Sequence, residues 1–126
     1  MTLRGHRQAD IDALAARIQE ETRAGCAALG MRCEFELRDV FSDTTNDDAV
    51  YDDALERFRR AGLPVHVLEE PMRWSEDFGW ILKKVPGLYF GIGDGEDYPG
   101  LHTRDFCFDD GIIPTALAAL WALAEG

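Results

Sequence analysis

The chain has 126 residues, is 46% hydrophobic with three Trp, three Tyr and seven Phe, and carries a formal net charge of -11. That length allows one modest core, the apolar content excludes an acidic disordered chain, and the charge opposes a phosphate backbone, so no nucleic-acid partner is expected. No apolar run approaches the roughly 18 residues of a membrane span, residues 1–7 lack a secretory apolar stretch, and the three cysteines show no C-x-x-C spacing; a soluble, cytoplasmic chain with reduced thiols and no membrane contact is expected.

Charge is uneven along the chain. Residues 1–40 carry six basic and seven acidic side chains, and residues 41–126 carry seven and seventeen. A solvated acidic surface that aids solubility accounts for this.

Between residues 10 and 29 the positions Ile11, Leu14, Ala15, Ile18, Thr22, Cys26 and Leu29 step by three and four, which predicts an amphipathic helix. Asp10 or Asp12 is placed to cap it and Gly30 to end it. Residues 31–40 then alternate, with Cys33, Phe35 and Leu37 on one face and Glu34, Glu36 and Arg38 on the other, the period of a half-buried strand. Leu3-Arg4 reads as the end of another strand.

Residues 42–48 are polar and rich in cap residues, and the charge balance changes there. A boundary is therefore expected, dividing the chain into 1–43 and 44–126. Val50, Tyr51, Ala54, Leu55 and Phe58 form the stripe of a following helix, which Gly62 ends and Pro64 keeps from resuming. Residues 65–68 read as a short strand. Ser75 then stands as the N-cap of a third helix, with Glu76 and Asp77 in its first turn and Pro86-Gly87 at its close. Residues 88–92 form a continuous apolar strand, 93–105 an irregular glycine-rich loop, and the last helix starts near Asp109-Asp110 with Pro114 in its first turn. The order from residue 47 onward is helix, strand, helix, strand, helix, an α/β layer, preceded by what reads as half of an α+β sandwich.

The cluster Gly91-Ile92-Gly93-Asp94-Gly95 is followed by Glu96, Asp97 and Tyr98-Pro99-Gly100. A phosphate loop needs a helix N-terminus directly after its glycines, so the dinucleotide reading fails on context. Of three histidines, His6 lies at the N-terminus, His66 inside an expected strand, and His102 in the long loop beyond one. Ligands of open α/β sheets gather there, so His102 is either a metal or substrate contact or a locally hydrogen-bonded surface histidine. Cys107 follows it by five residues, but H-x-x-x-x-C is not a zinc signature, and Ser75 has no assignable base partner.

Taken in order, residues 75–78 (Ser-Glu-Asp-Phe), 85–93 (Val-Pro-Gly-Leu-Tyr-Phe-Gly-Ile-Gly), 101–103 (Leu-His-Thr), 106–110 (Phe-Cys-Phe-Asp-Asp) and 113–114 (Ile-Pro) resemble the C-terminal end of metallopeptidase family twenty. The resemblance is strongest to its amidohydrolases of the aminoacylase, carboxypeptidase, indole-acetyl-amino-acid hydrolase and hippurate hydrolase kind. Residues 44–47 (Thr-Thr-Asn-Asp) look like the return from that family's lid domain to its catalytic domain, and residues 1–43 like the second half of the lid, a ferredoxin-like α+β unit that also mediates dimerisation.

The resemblance implies hydrolysis of an amide in a small acylated amino acid or peptide, assisted by zinc or another divalent metal. It implies His102 as the last metal ligand and Ser75, Glu76, Gly91, Gly93 and Asn46 as substrate-binding or hinge positions. It supplies no catalytic base here. The family's other ligands and its general-base glutamate have no match in this chain, so the chain alone is expected to be inactive without a complementary N-terminal half. Trp74, where a small residue is common, and Cys107, in place of a polar one, depart from the pattern. The alternative is a non-enzymatic module derived from this fold that self-associates, as a homo-oligomer, or binds a partner.

Overall fold

The computed structural model describes residues 1–125. The chain divides into two units, one made of Met1–Thr44 with Arg73–Lys84, the other of Thr45–Met72 with the residues from Val85 onward. No helix among the described residues is long and apolar enough to cross a membrane.

In the first unit, helix α1 spans Gln8–Ala28. Ile11, Ala15, Ile18 and Cys26 are its half-buried stripe, as the three-and-four spacing requires. Its start differs from the expected one, because Asp10 lies inside the first turn and Asp12 just beyond it, where they accept from the Arg7 and Gln8 side chains at 3.0 and 2.8 Å. The N-cap residue, Arg7, gives no side-chain cap. Asp43 supplies one from a distance in sequence, its Oδ2 accepting from the Gln8 N–H at 3.3 Å, and its negative charge favours the positive end of the helix dipole.

The other end of α1 is a Schellman closure. Gly30 takes φ 67, its N–H reaches the Ala27 carbonyl at 3.1 Å, and the Met31 N–H reaches the Cys26 carbonyl at 2.8 Å. Residues 31–40 leave it as non-helical chain. From the face expected to be buried, Cys33 is half-buried but Leu37 is 65% exposed. An alternating segment becomes a strand only when a neighbour takes its N–H and C=O groups, and no strand pairing is formed among the described residues.

Helix α3, Phe78–Leu82, is a single short turn in the same unit. The expected start at Ser75 is corrected: Ser75 lies outside the helix, and Asp77 precedes it without a side-chain cap bond. What fixes α3 is a close approach. Gly79 is buried, and a Cβ there would stand 2.7 and 2.9 Å from the carbonyl oxygens of Asp43 and Ser42. Lys83, just beyond the helix, pairs with Asp43. Asp43 therefore ties α1 and the end of α3 to one point.

The second unit holds the buried apolar residues Ala54, Phe58 and Ala119. Helix α2, Asp48–Arg60, starts on Asp47, whose side chain accepts from the Val50 N–H at 3.1 Å. It ends in a second Schellman closure, with Gly62 at φ 71 and the Leu63 N–H on the Phe58 carbonyl at 2.9 Å. Leu63 packs against the same cluster as Phe58, the apolar contact that accompanies this motif. Arg57, Arg59 and Arg60 occupy the last turn, where cations complement the dipole.

Helix α4, Ile113–Ala124, follows a 3-10 turn at Asp110–Ile112, whose cap Asp109 accepts from the Gly111 N–H at 2.8 Å. Pro114 falls in its first turn, as expected. Helices α2 and α4 pack together, and Leu88, Phe90 and Ile92 complete the cluster from the apolar segment expected as a strand. Phe58 meets Phe90 at 5.4 Å between ring centroids with planes tilted by 57°. Burying a phenylalanine of this kind stabilises the unit by about 2–3 kcal/mol.

Candidate functional site

The candidate positions divide between the units: Ser75 and Glu76 lie in the first, Asn46, Gly91, Gly93 and His102 in the second. Ser75 is exposed and Glu76 half-buried.

His102 sits in a loop with its own bracing. The Thr103 N–H and hydroxyl both donate to the Gly100 carbonyl, at 3.2 and 2.7 Å, closing a four-residue turn in which His102 takes the third position. Its φ is 64. That position of a turn accommodates left-handed backbone, which histidine adopts more readily than most side chains. Around the turn, the Tyr98 hydroxyl donates to the Cys107 carbonyl, and the Tyr98 ring meets Phe106 edge-on at 6.1 Å and 80°. Burial, then Cys107, Asp109 and Asp94 nearby, push the Tyr98 phenol above its ordinary value, so it remains a donor across the neutral range. The result is an exposed imidazole on a turn held at both shoulders.

Asn46 is committed elsewhere. Its Nδ2 donates to the Tyr89 carbonyl at 3.0 Å and its Oδ1 accepts from the Tyr89 N–H at 2.7 Å. The neighbouring Asp47 N–H donates to the Gly87 carbonyl at 3.0 Å. The side-chain amide thus takes the bonds that a neighbouring strand would have taken from residue 89. This amide positions the segment leading to Gly91 and Gly93. A Cβ at Gly91 would touch only Met72 Cε, at 3.6 Å, and one at Gly93 would meet nothing within 4 Å, so packing among the described residues does not require either glycine.

Asp43 and Gly79 escaped the sequence reading. Asp43 lay in a polar stretch read as a boundary, and its partners stand 35 and 40 positions away. Its carboxyl is held below the usual range, first by the Lys83 hydrogen bond, against which partial burial works, and then by the Gln8 N–H.

A hydrolytic zinc centre takes three protein ligands. Among the described residues no three His, Cys, Asp or Glu side chains converge as donors. His102 offers one, and Cys107, exposed on the same loop, does not complete a set. The donors present do not fit a whole metal centre.

The family model described as Peptidase family M20/M25/M40 matches residues 4–126. The chain belongs to this family. The family is generally metal-dependent, and the resemblance read from the sequence agrees with the match as far as the family itself. Among curated relatives, "Thermostable carboxypeptidase 2" of Saccharolobus solfataricus is 30% identical over 104 residues, 79% of this chain and 26% of the relative. "N-acetyldiaminopimelate deacetylase" of Lacticaseibacillus casei is 28% identical over 120 residues, 94% of this chain and 31% of the relative, and that of Exiguobacterium sibiricum is 26% identical over 119 residues, 94% and 32%. The chain spans about a quarter to a third of the length of the relatives it matches. No solved structure gives a significant match.

Proposed function

We propose that these residues form the C-terminal part of a metal-dependent amide hydrolase acting on N-acylated amino acids or small peptides. His102 is its last metal ligand, and the remaining donors come from polypeptide outside the 126 residues, whether continuous with them or a separate chain. The observation that carries this reading is the placement of His102: an exposed imidazole at the left-handed position of a braced turn, within a match to the family that extends along nearly the whole chain. Fixing the backbone that carries the imidazole before an ion arrives lowers the ordering cost of binding it. Gly91 and Gly93, which local packing does not require, are read as points where substrate approaches backbone. Ser75 and Glu76 are read as substrate-facing positions of their own unit, and Asn46 as a residue that sets the 87–93 segment.

The test is deacylation by an assembly that joins these residues to a complementary ligand-bearing half, compared with the same assembly carrying His102→Ala. Loss of at least about 100-fold in kcat/KM, with reduced metal content, is expected, since even residues that only orient a ligand are worth 10–100-fold. Full activity in the His102→Ala assembly, or hydrolysis by the 126 residues alone with a stoichiometric ion, overturns the proposal.

A second reading, a partner-binding or self-associating module, draws on α4. Leu117, Leu120 and Trp121 lie on one side of this helix and are 62%, 57% and 65% exposed, an apolar stripe of the kind that marks contact surfaces. Assembly that survives His102→Ala while no hydrolysis is recovered on reconstitution favours it.

A further inference from the structure

The end of α1 brings together two thiols that the proposed hydrolysis does not use. Gly30 at φ 67 reverses the chain, and the Met31 N–H to Cys26 carbonyl bond of 2.8 Å fixes the reversal. Beyond it the chain runs back along the last turns of α1, since the Arg23 guanidinium lies 4.9 Å from the centre of the Phe35 ring. Between those two anchors stand Cys26 on the helix and Cys33 on the returning segment. Both are half-buried and unbridged, and the two anchors bring the segment that carries Cys33 alongside the turns of α1 that carry Cys26. The third cysteine, Cys107, is exposed and belongs to the other unit.

We propose that Cys26 and Cys33 are an oxidisable dithiol, a modification site at which a low-molecular-weight disulfide converts two thiols into one intrachain bond and locks the end of α1 to the segment that follows it. One protein thiolate attacks a sulfur of the small disulfide and expels one small thiolate, leaving a mixed disulfide. The second protein thiolate attacks the protein sulfur of that mixed disulfide, breaks its S–S bond and expels the second small thiolate. The two protons released by the cysteines end on the two small thiols, so the protein pair is oxidised by two electrons and the small disulfide is reduced by two. Burial and the Cys33 thiol push the Cys26 thiol above its ordinary value, which keeps it protonated until exchange begins. Placement of the two cysteines on adjoining segments of one reversal makes the second step intramolecular and fast relative to attack on another small disulfide.

The experiment is incubation of the 126-residue chain with oxidised glutathione, alkylation of remaining thiols, and tryptic mapping. Cleavage after Arg23, Arg32 and Arg38 separates the two cysteines into peptides 24–32 and 33–38, while Cys107 stays in the peptide beginning at residue 105. The expected product is 24–32 joined to 33–38, with Cys107 alkylated or carrying a single glutathione, and a melting temperature that rises on oxidation and falls again with reductant. In Cys33→Ser the joined pair is absent and Cys26 stops at the mixed disulfide; should this variant not fold, the wild-type map decides alone. Bonds from Cys107 in place of the expected pair, separate glutathiones on Cys26 and Cys33 with no bond between them, or an unchanged melting temperature overturn the proposal.

Discussion

Asn46 holds the backbone of Tyr89 by both of its polar groups, donating through Nδ2 at 3.0 Å to the carbonyl and accepting through Oδ1 at 2.7 Å from the amide N–H. One primary amide thus stands in for an adjacent strand at the point where the chain enters the apolar segment Leu88–Phe90–Ile92 of the core. Asn46→Ala leaves a half-buried N–H and C=O without these partners, at a cost of about 1–3 kcal/mol. Asn46→Asp keeps the acceptor but turns the donor into a second acceptor facing the Tyr89 carbonyl, so it recovers little of that loss. Urea unfolding of both variants measures it, and a stability equal to wild type in Asn46→Ala removes the clamp from the account.

Asp43 makes stability depend on pH in a defined direction. Its carboxyl lies below the ordinary range because Lys83 donates to it and the Gln8 N–H assists. A group whose folded value is depressed favours folding fully above its unfolded value, about 3.9 for aspartate, and loses that contribution as pH falls through the folded value. Lys83 is 44% exposed, so solvent screening limits the pair to about 1 kcal/mol at neutral pH. The unfolding midpoints of wild type and Asp43→Asn, compared at pH 7 and near pH 3, are expected to differ at the first and to draw closer at the second. A gap independent of pH assigns the effect to something other than this charge.

Local signals carried much of this fold and non-local ones did not. The stripe from Ile11 to Cys26, the cap-rich stretch before α2, the glycines Gly30 and Gly62 and the proline at 114 are all readable because each acts through neighbours within a turn or so of helix. The expected α3 start at Ser75 moved to Phe78 because what settles it is Gly79 meeting carbonyls 36 and 37 positions upstream, a contact no spacing rule encodes. The alternation at residues 31–40 specifies a face, but a strand also needs a neighbour, and that lies outside any one-dimensional pattern. At the candidate site, His102 stands out by its loop, while the bonds of Asn46 to Tyr89, 43 positions away, follow from no spacing rule.

Gly79→Ala tests the close approach directly. Its new Cβ would lie 2.7 Å from the Asp43 carbonyl oxygen and 2.9 Å from that of Ser42, and backbone carbonyls yield less readily than the end of a flexible side chain. Overpacking of this kind costs about 1–3 kcal/mol, although alanine is otherwise the better helix former. Thermal melting is expected to fall, and a variant as stable as wild type shows that α3 shifts freely against residues 42–44.

Two other glycines are expected to respond to alanine with opposite signs. Gly25 lies within α1, with nothing within 4 Å of the position its Cβ would take, so Gly25→Ala reduces the freedom of the unfolded chain without a clash and stabilises by about 0.5–1 kcal/mol. Gly62 has the same open surroundings but takes φ 71 at the C-terminus of α2, where a Cβ meets its own backbone and alanine costs about 1–2 kcal/mol. Space around the residue is equal in the two cases, so the difference in sign isolates backbone angle as the cause. Urea midpoints of the two variants, measured side by side, decide it: equal shifts in one direction would mean that the Schellman closure at Gly62 does not hold the end of α2.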